Sequence, residues 1–120
     1  MSIIGQCHCG TVRFRLDEAP RWLTECNCSA CRKLGALWIY SQDQRIILEC
    51  EASDTLGYSH GDRNIAFHSC ILCGCTTHWE GLKEGFDDKI AVNARLLDPK
   101  ITNPIKIRHF DGADTFQFLD

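Results

Sequence analysis

Nine cysteines stand in 120 residues, and eight of them gather into three short knots. "CHCG" runs from Cys7 to Gly10, "CNCSACRKLG" from Cys26 to Gly35, and "CILCGC" from Cys70 to Cys75. Sulfur at this density fastens a small fold through disulfides or through metal, and the redox compartment decides which. The start "MSIIGQCHCG" has no basic segment, no long apolar run and no processing site, which predicts a cytoplasmic protein whose thiols stay reduced. Clustered cysteines in that setting point to metal, and an odd count leaves one thiol over in any scheme of disulfides.

Tetrahedral zinc sites are assembled from two short ligand pairs that the fold brings together. Cys7/Cys9 and Cys70/Cys73 make one such combination, a closed four-sulfur site with a structural role. Cys26, Cys28 and Cys31 then remain as a cup of three. Three protein ligands with a fourth position open are the arrangement of a catalytic zinc, and a soft donor such as a substrate thiol suits that position. Two zinc ions are expected on this partition. Two rivals stay open: Cys75 completes the middle knot and closes both sites, or Cys70, Cys73 and Cys75 are the open cup and Cys26, Cys28 and Cys31 join one member of Cys7/Cys9. Cys50 reads as a small half-buried residue. His8, His60, His68, His78 and His109 read as packing, loop or surface residues, and a place beside the sulfurs would let one of His68 and His78 donate toward thiolate sulfur.

A mass of 13.6 kDa fits a single domain spanning residues 1–120. The net charge of -3 and the lack of a Lys/Arg run exclude general nucleic-acid binding. No apolar run reaches the roughly 18 residues a membrane helix needs. Alternation of Val12, Phe14 and Leu16 against polar neighbours predicts a half-buried strand over Thr11–Leu16. Further strands are predicted over Ala36–Ser41, Arg45–Glu49, Ile65–Ser69, Thr76–Glu80, Lys89–Asn93 and Ile105–Phe110, punctuated by turn-rich pieces. Helix is confined to one turn capped by Ser29 and another over Ala94–Asp98. The fold class is mainly β, and exposed sheet edges make a homodimer plausible.

The runs "GQCHCGTVRFRL", "CNCSACRKLG", "HSCILCGCTTHW", "VNARLLD" and "HFDGADTF" resemble the glutathione-dependent formaldehyde-activating enzyme family, which includes the centromere protein V group. The resemblance implies an Mss4-like twisted β-sandwich of small antiparallel sheets with two zinc sites. It assigns Cys7, Cys9, Cys70 and Cys73 to a structural zinc and Cys26, Cys28 and Cys31 to a catalytic one. The implied reaction joins a small thiol, glutathione, to formaldehyde and is classed with carbon-sulfur lyases. Arg32, beside Cys31, is the candidate for an oxyanion or a substrate carboxylate. Asn93 and Arg95 match a family motif with a packing or site-edge role. Cys75 departs from the expected ligand set. The contrasting expectation is a non-catalytic zinc-stabilised module that binds a protein partner.

Overall fold

The computed structural model describes residues 2–120. Alternation in the "VRFRL" run becomes a strand at Arg13–Leu16 (β2), with Phe14 and Leu16 buried and Arg13 exposed. It pairs on one side with Ile3–Gln6 (β1) and on the other with Ile46–Glu49 (β5), both antiparallel, which completes a three-stranded sheet. The remaining strands are Trp22–Cys26 (β3), Trp38–Tyr40 (β4), Thr55–Tyr58 (β6), Ile65–Cys70 (β7), Thr76–Gly81 (β8), Ile90–Asn93 (β9) and Lys106–Phe110 (β10). They form one seven-stranded sheet in the order β10-β3-β4-β9-β8-β7-β6. The protein is mainly β with two sheets, as expected. The larger sheet is wider than the small sheets foreseen, and β3 and β10 run parallel while the other strand pairs are antiparallel among the described residues.

Two short helices, Ser29–Leu34 (α1) and Pro99–Thr102 (α2), and single 3-10 turns at Ala52–Asp54 and Ala94–Leu96 complete the chain. Asp98 caps α2 by accepting from the Lys100 N–H at 2.9 Å, with Pro99 opening the first turn. None of these helices is long and apolar enough to cross a membrane.

Strand pleat gives the large sheet two different faces. Ile39 and Val92 are register partners on one face, and they join Ile3, Phe14 and Leu16 of the small sheet in a single buried cluster. On the other face Trp38, Phe67, Trp79 and Ala91 pack with Cys26 and Cys31. The sheet is thus buried on both sides through its middle. That accounts for the consecutive burial of Ala91, Val92 and Asn93, which simple alternation would not predict. A third cluster, Cys7, Val12 and Cys70, lies where the two sheets meet at their ends, with Cys50, Cys73 and Cys75 packed against it.

Candidate functional site

Cys7 and Cys9 sit in the turn between β1 and β2, while Cys70 ends β7 and Cys73 lies in the turn that follows it. The structure brings these four together, every Sγ within 4.8 Å of the others. Cys9 Sγ is 3.6 Å from both Cys7 Sγ and Cys70 Sγ. A tetrahedron with Zn–S bonds of about 2.3 Å has edges of about 3.8 Å, so this spacing suits a shared metal. All nine cysteines are free. The N–H groups of Cys75 and Cys9 point at Cys73 and pull its thiol down to about 5, favouring the thiolate a metal requires.

Cys75 contributes its backbone here. Its sulfur is outside both groups and packs half-buried beside the four-sulfur cluster, together with Cys50. The rival partitions, with Cys75 closing the middle knot or belonging to an open cup, do not match this placement.

Cys26 ends β3, Cys28 precedes α1 and Cys31 lies one turn into it. Their sulfurs also lie within 4.8 Å of one another, and among the described residues no fourth sulfur, imidazole or carboxylate joins them. The helix is capped by sulfur: Cys28 Sγ, not the expected Ser29 hydroxyl, accepts from the Cys31 N–H at 3.3 Å. At its other end Gly35 adopts the left-handed conformation at φ 67° and closes the helix. Trp38 Nε1 donates to Cys31 Sγ at 3.3 Å. The Cys31 thiol, and then the backbone N–H groups of Cys28 and Gly112, pull the Cys26 thiol down to about 6; the Cys26 contact and burial push Cys31 up. Gly112 must be glycine for this approach, because a Cβ there would lie 2.5 Å from Cys26 Sγ and 3.3 Å from Cys28 Cβ.

The "VNARLLD" segment holds α1 in place. The Asn93 side chain accepts from Leu37 N (3.3 Å) and Arg95 N (3.1 Å) and donates to Thr76 O (2.8 Å). Arg95 Nε donates to Gly35 O at 2.6 Å, fastening the helix C-terminus to the 3-10 turn that follows β9.

The three sulfurs open onto a cavity of about 660 Å³. Tyr40 lines it, and burial together with the charges of Cys26, Cys31 and Cys28 raises the Tyr40 pKa, so the phenol stays protonated. Arg63 and Lys89 supply cations to the same cavity, and His60 also lines it. Arg32 is exposed on α1 and is not one of the lining residues. Trp38, Tyr40 and Gly112 were not foreseen as site residues. Only "DGAD" and the β4 segment marked their neighbourhoods.

His68, His78 and Glu80 form a third group of donors within 4.8 Å, on the face of the sheet turned away from the cavity. Nδ1 of His68 meets Thr55 Oγ1 and Nδ1 of His78 meets Thr77 Oγ1, each at 2.8 Å. The two rings stack at 4.6 Å with an interplanar angle of 3°. Lone pairs lie in the ring planes, and parallel stacked planes do not converge on one ion. The pair is a packing element. His8 and His109 are exposed, and His109 Nδ1 pairs with Asp120 at 2.7 Å.

A family profile for the glutathione-dependent formaldehyde-activating enzymes matches residues 2–110. The chain belongs to that family. A Halomonas elongata protein named for the same family is 33% identical over 101 residues, covering 83% of this chain and 59% of the relative's own length. A crystal structure of a Rhodobacter sphaeroides protein is similar with a TM-score of 0.66 at 25% identity, covering 88% of this chain and 99% of that one. The chain thus combines membership of that family with a mainly β fold and two cysteine groups that could each hold a metal ion.

Two outcomes follow from this geometry. Gly112→Ala should weaken metal binding at Cys26, Cys28 and Cys31 by roughly tenfold or more, read by competition with a chelator, while the four-sulfur group keeps its affinity. The second concerns pH. Burial, and then His68, lower His78 from 6.5 to about 4, so the unfolded chain takes up this proton before the folded one does. Its contribution to stability is complete above pH 6.5 and is lost as pH falls from 6.5 toward 4, by up to about 3 kcal/mol. His78→Gln should flatten that part of the Tm profile; an unchanged slope would assign the acid sensitivity elsewhere.

Proposed function

We propose that this protein is a zinc-dependent enzyme of carbon-sulfur lyase type, joining or releasing a small thiol such as glutathione and an aldehyde such as formaldehyde. The observation that carries the reading is the cup of three sulfurs without a fourth protein donor, opening onto a cavity. On this reading residues 1–120 act as one cytoplasmic domain. Cys7, Cys9, Cys70 and Cys73 hold a structural zinc, and Cys26, Cys28 and Cys31 a catalytic one. A zinc ion held by three thiolates supplies an exchangeable position that binds a thiol and removes its proton.

The chain's residues do the rest. Trp38, through its N–H on Cys31, fixes the rear of the cup. Arg63 and Lys89 hold substrate carboxylates. Tyr40 keeps its proton and donates to the oxygen that becomes an alkoxide when sulfur meets the carbonyl carbon. Aromatic walls exclude water and fix the two reactants together.

A second reading is a zinc-stabilised module for a protein partner or a second copy of the chain. It draws on the exposed Leu56 and Tyr58 of edge strand β6 and on Ile71 and Leu72 nearby.

Cobalt substitution separates the two. Adding glutathione should change the absorption of one cobalt site of the intact protein, and Cys28→Ser should abolish that change and the excess rate over buffer while the fold survives. Cys7→Ser should unfold the domain, since structural zinc contributes on the order of 10 kcal/mol. Thiols that leave the cobalt spectrum untouched would sink the enzyme reading. Tyr40→Phe should lower kcat about 10²-fold with both metals retained; an unaltered kcat would remove Tyr40 from the chemistry.

A further inference from the structure

The cavity beside the three sulfurs is built for more than formaldehyde, which has a single carbon. An apolar cavity of about 150 Å³ already admits benzene, and this one measures about 660 Å³. Nine of the chain's eleven Phe, Trp and Tyr residues line it, including all three tryptophans. The inner wall is Trp38, Phe67 and Trp79, buried against the sheet. The rim is Phe110, Phe116 and Phe118, with Phe110 edge-on to the other two at 5.4 and 5.2 Å.

The rim is unusual in its cost. Phe116 is 65% exposed, and it holds a left-handed backbone at φ 60°, a conformation that bulky side chains rarely adopt. Its N–H donates to Asp111 O at 2.8 Å, and Asp111 is tied to Asn27 Nδ2 at 2.9 Å. A strained backbone that keeps a large apolar ring in water contributes nothing to the fold by itself. It becomes favourable when the ring closes over a bound apolar group.

We propose that one of the two reactants joined at this site, the aldehyde or the thiol, carries an aromatic or long apolar group that packs between the tryptophan wall and the phenylalanine rim. The inference rests on the carbon-sulfur reading above and narrows its substrate class. In the step itself the thiol sulfur bonds to the carbonyl carbon and the π pair of C=O moves to oxygen. The proton lost by the thiol ends on that oxygen, giving a hemithioacetal with no oxidant or reductant. The ring stays outside the bond changes, and its burial positions the carbonyl beside the sulfurs.

The test compares three pairs on the zinc-loaded full chain, each corrected for the rate in buffer: glutathione with formaldehyde, glutathione with phenylacetaldehyde, and benzyl mercaptan with formaldehyde. At least one aromatic pair should exceed the first in kcat/KM by about tenfold or more, and which one does so identifies the reactant that carries the ring. Phe116→Ala and Phe110→Ala should reduce the aromatic pair's kcat/KM more than that of glutathione with formaldehyde. Turnover of glutathione with formaldehyde as fast as both aromatic pairs overturns the proposal.

If no pair reacts, the carbon-sulfur reading fails, and 2-phenylethanol decides the cavity separately. It has the ring but no carbonyl or thiol, and every tryptophan of the chain faces the cavity. A saturable change in tryptophan emission that weakens in Phe116→Ala supports an aromatic ligand; no saturable change refutes it.

Discussion

The four-sulfur clamp is the constraint on which the rest of the structure depends. One pair of its sulfurs comes from the β1–β2 turn of the small sheet and the other from the end of β7 and the turn after it in the large one. The two sheets share one buried face. A metal held by these four sulfurs would bond the open end together and add to what that core supplies. Cys9 in particular is exposed, so its place 3.6 Å from Cys70 owes nothing to hydrophobic burial.

The three-sulfur cup is held by different means. Its ligands hang from the end of β3 and the first turn of α1, and their surroundings are hydrogen bonds: Trp38 on Cys31, the Cys31 N–H on Cys28, the Gly112 N–H on Cys26. Such donors orient sulfur without completing a coordination sphere. One group therefore bridges two sheets, while the other lies beside a single sheet.

The grouping of the cysteines was legible because the spacing within each pair is local: Cys7-x-Cys9 and Cys70-x-x-Cys73 each lie at one end of a strand pair. Strands with clean periodicity were legible too, β2 above all. β1, β3 and β6 were not. β1 and β6 are four residues each, with Gly5 and Gly57 interrupting them. In β3 the neighbours Leu23 and Thr24 are both buried, one on each face of the sheet, so no alternation shows. The parallel pairing of β3 with β10 joins residues some eighty positions apart, beyond any local signal. The cavity was hidden for the same reason, since its aromatic residues come from strands and loops spread along nearly the whole chain, from Trp22 to Phe118. Arg32 adjoins Cys31 in sequence, but Cys31 is buried and Arg32 exposed on the same short helix.

The parallel strand also couples the cup to the cavity mouth. β10 delivers Phe110 opposite Cys26, and the chain then turns so that Gly112 meets the Cys26 sulfur. Within a few residues it returns to place Phe116 and Phe118 at the rim, pinned by Asn27 to Asp111 and to the Ala113 N–H. Asn27 itself lies between two of the sulfurs, Cys26 and Cys28. One short segment therefore carries both the glycine that meets a cup sulfur and the rings at the cavity mouth.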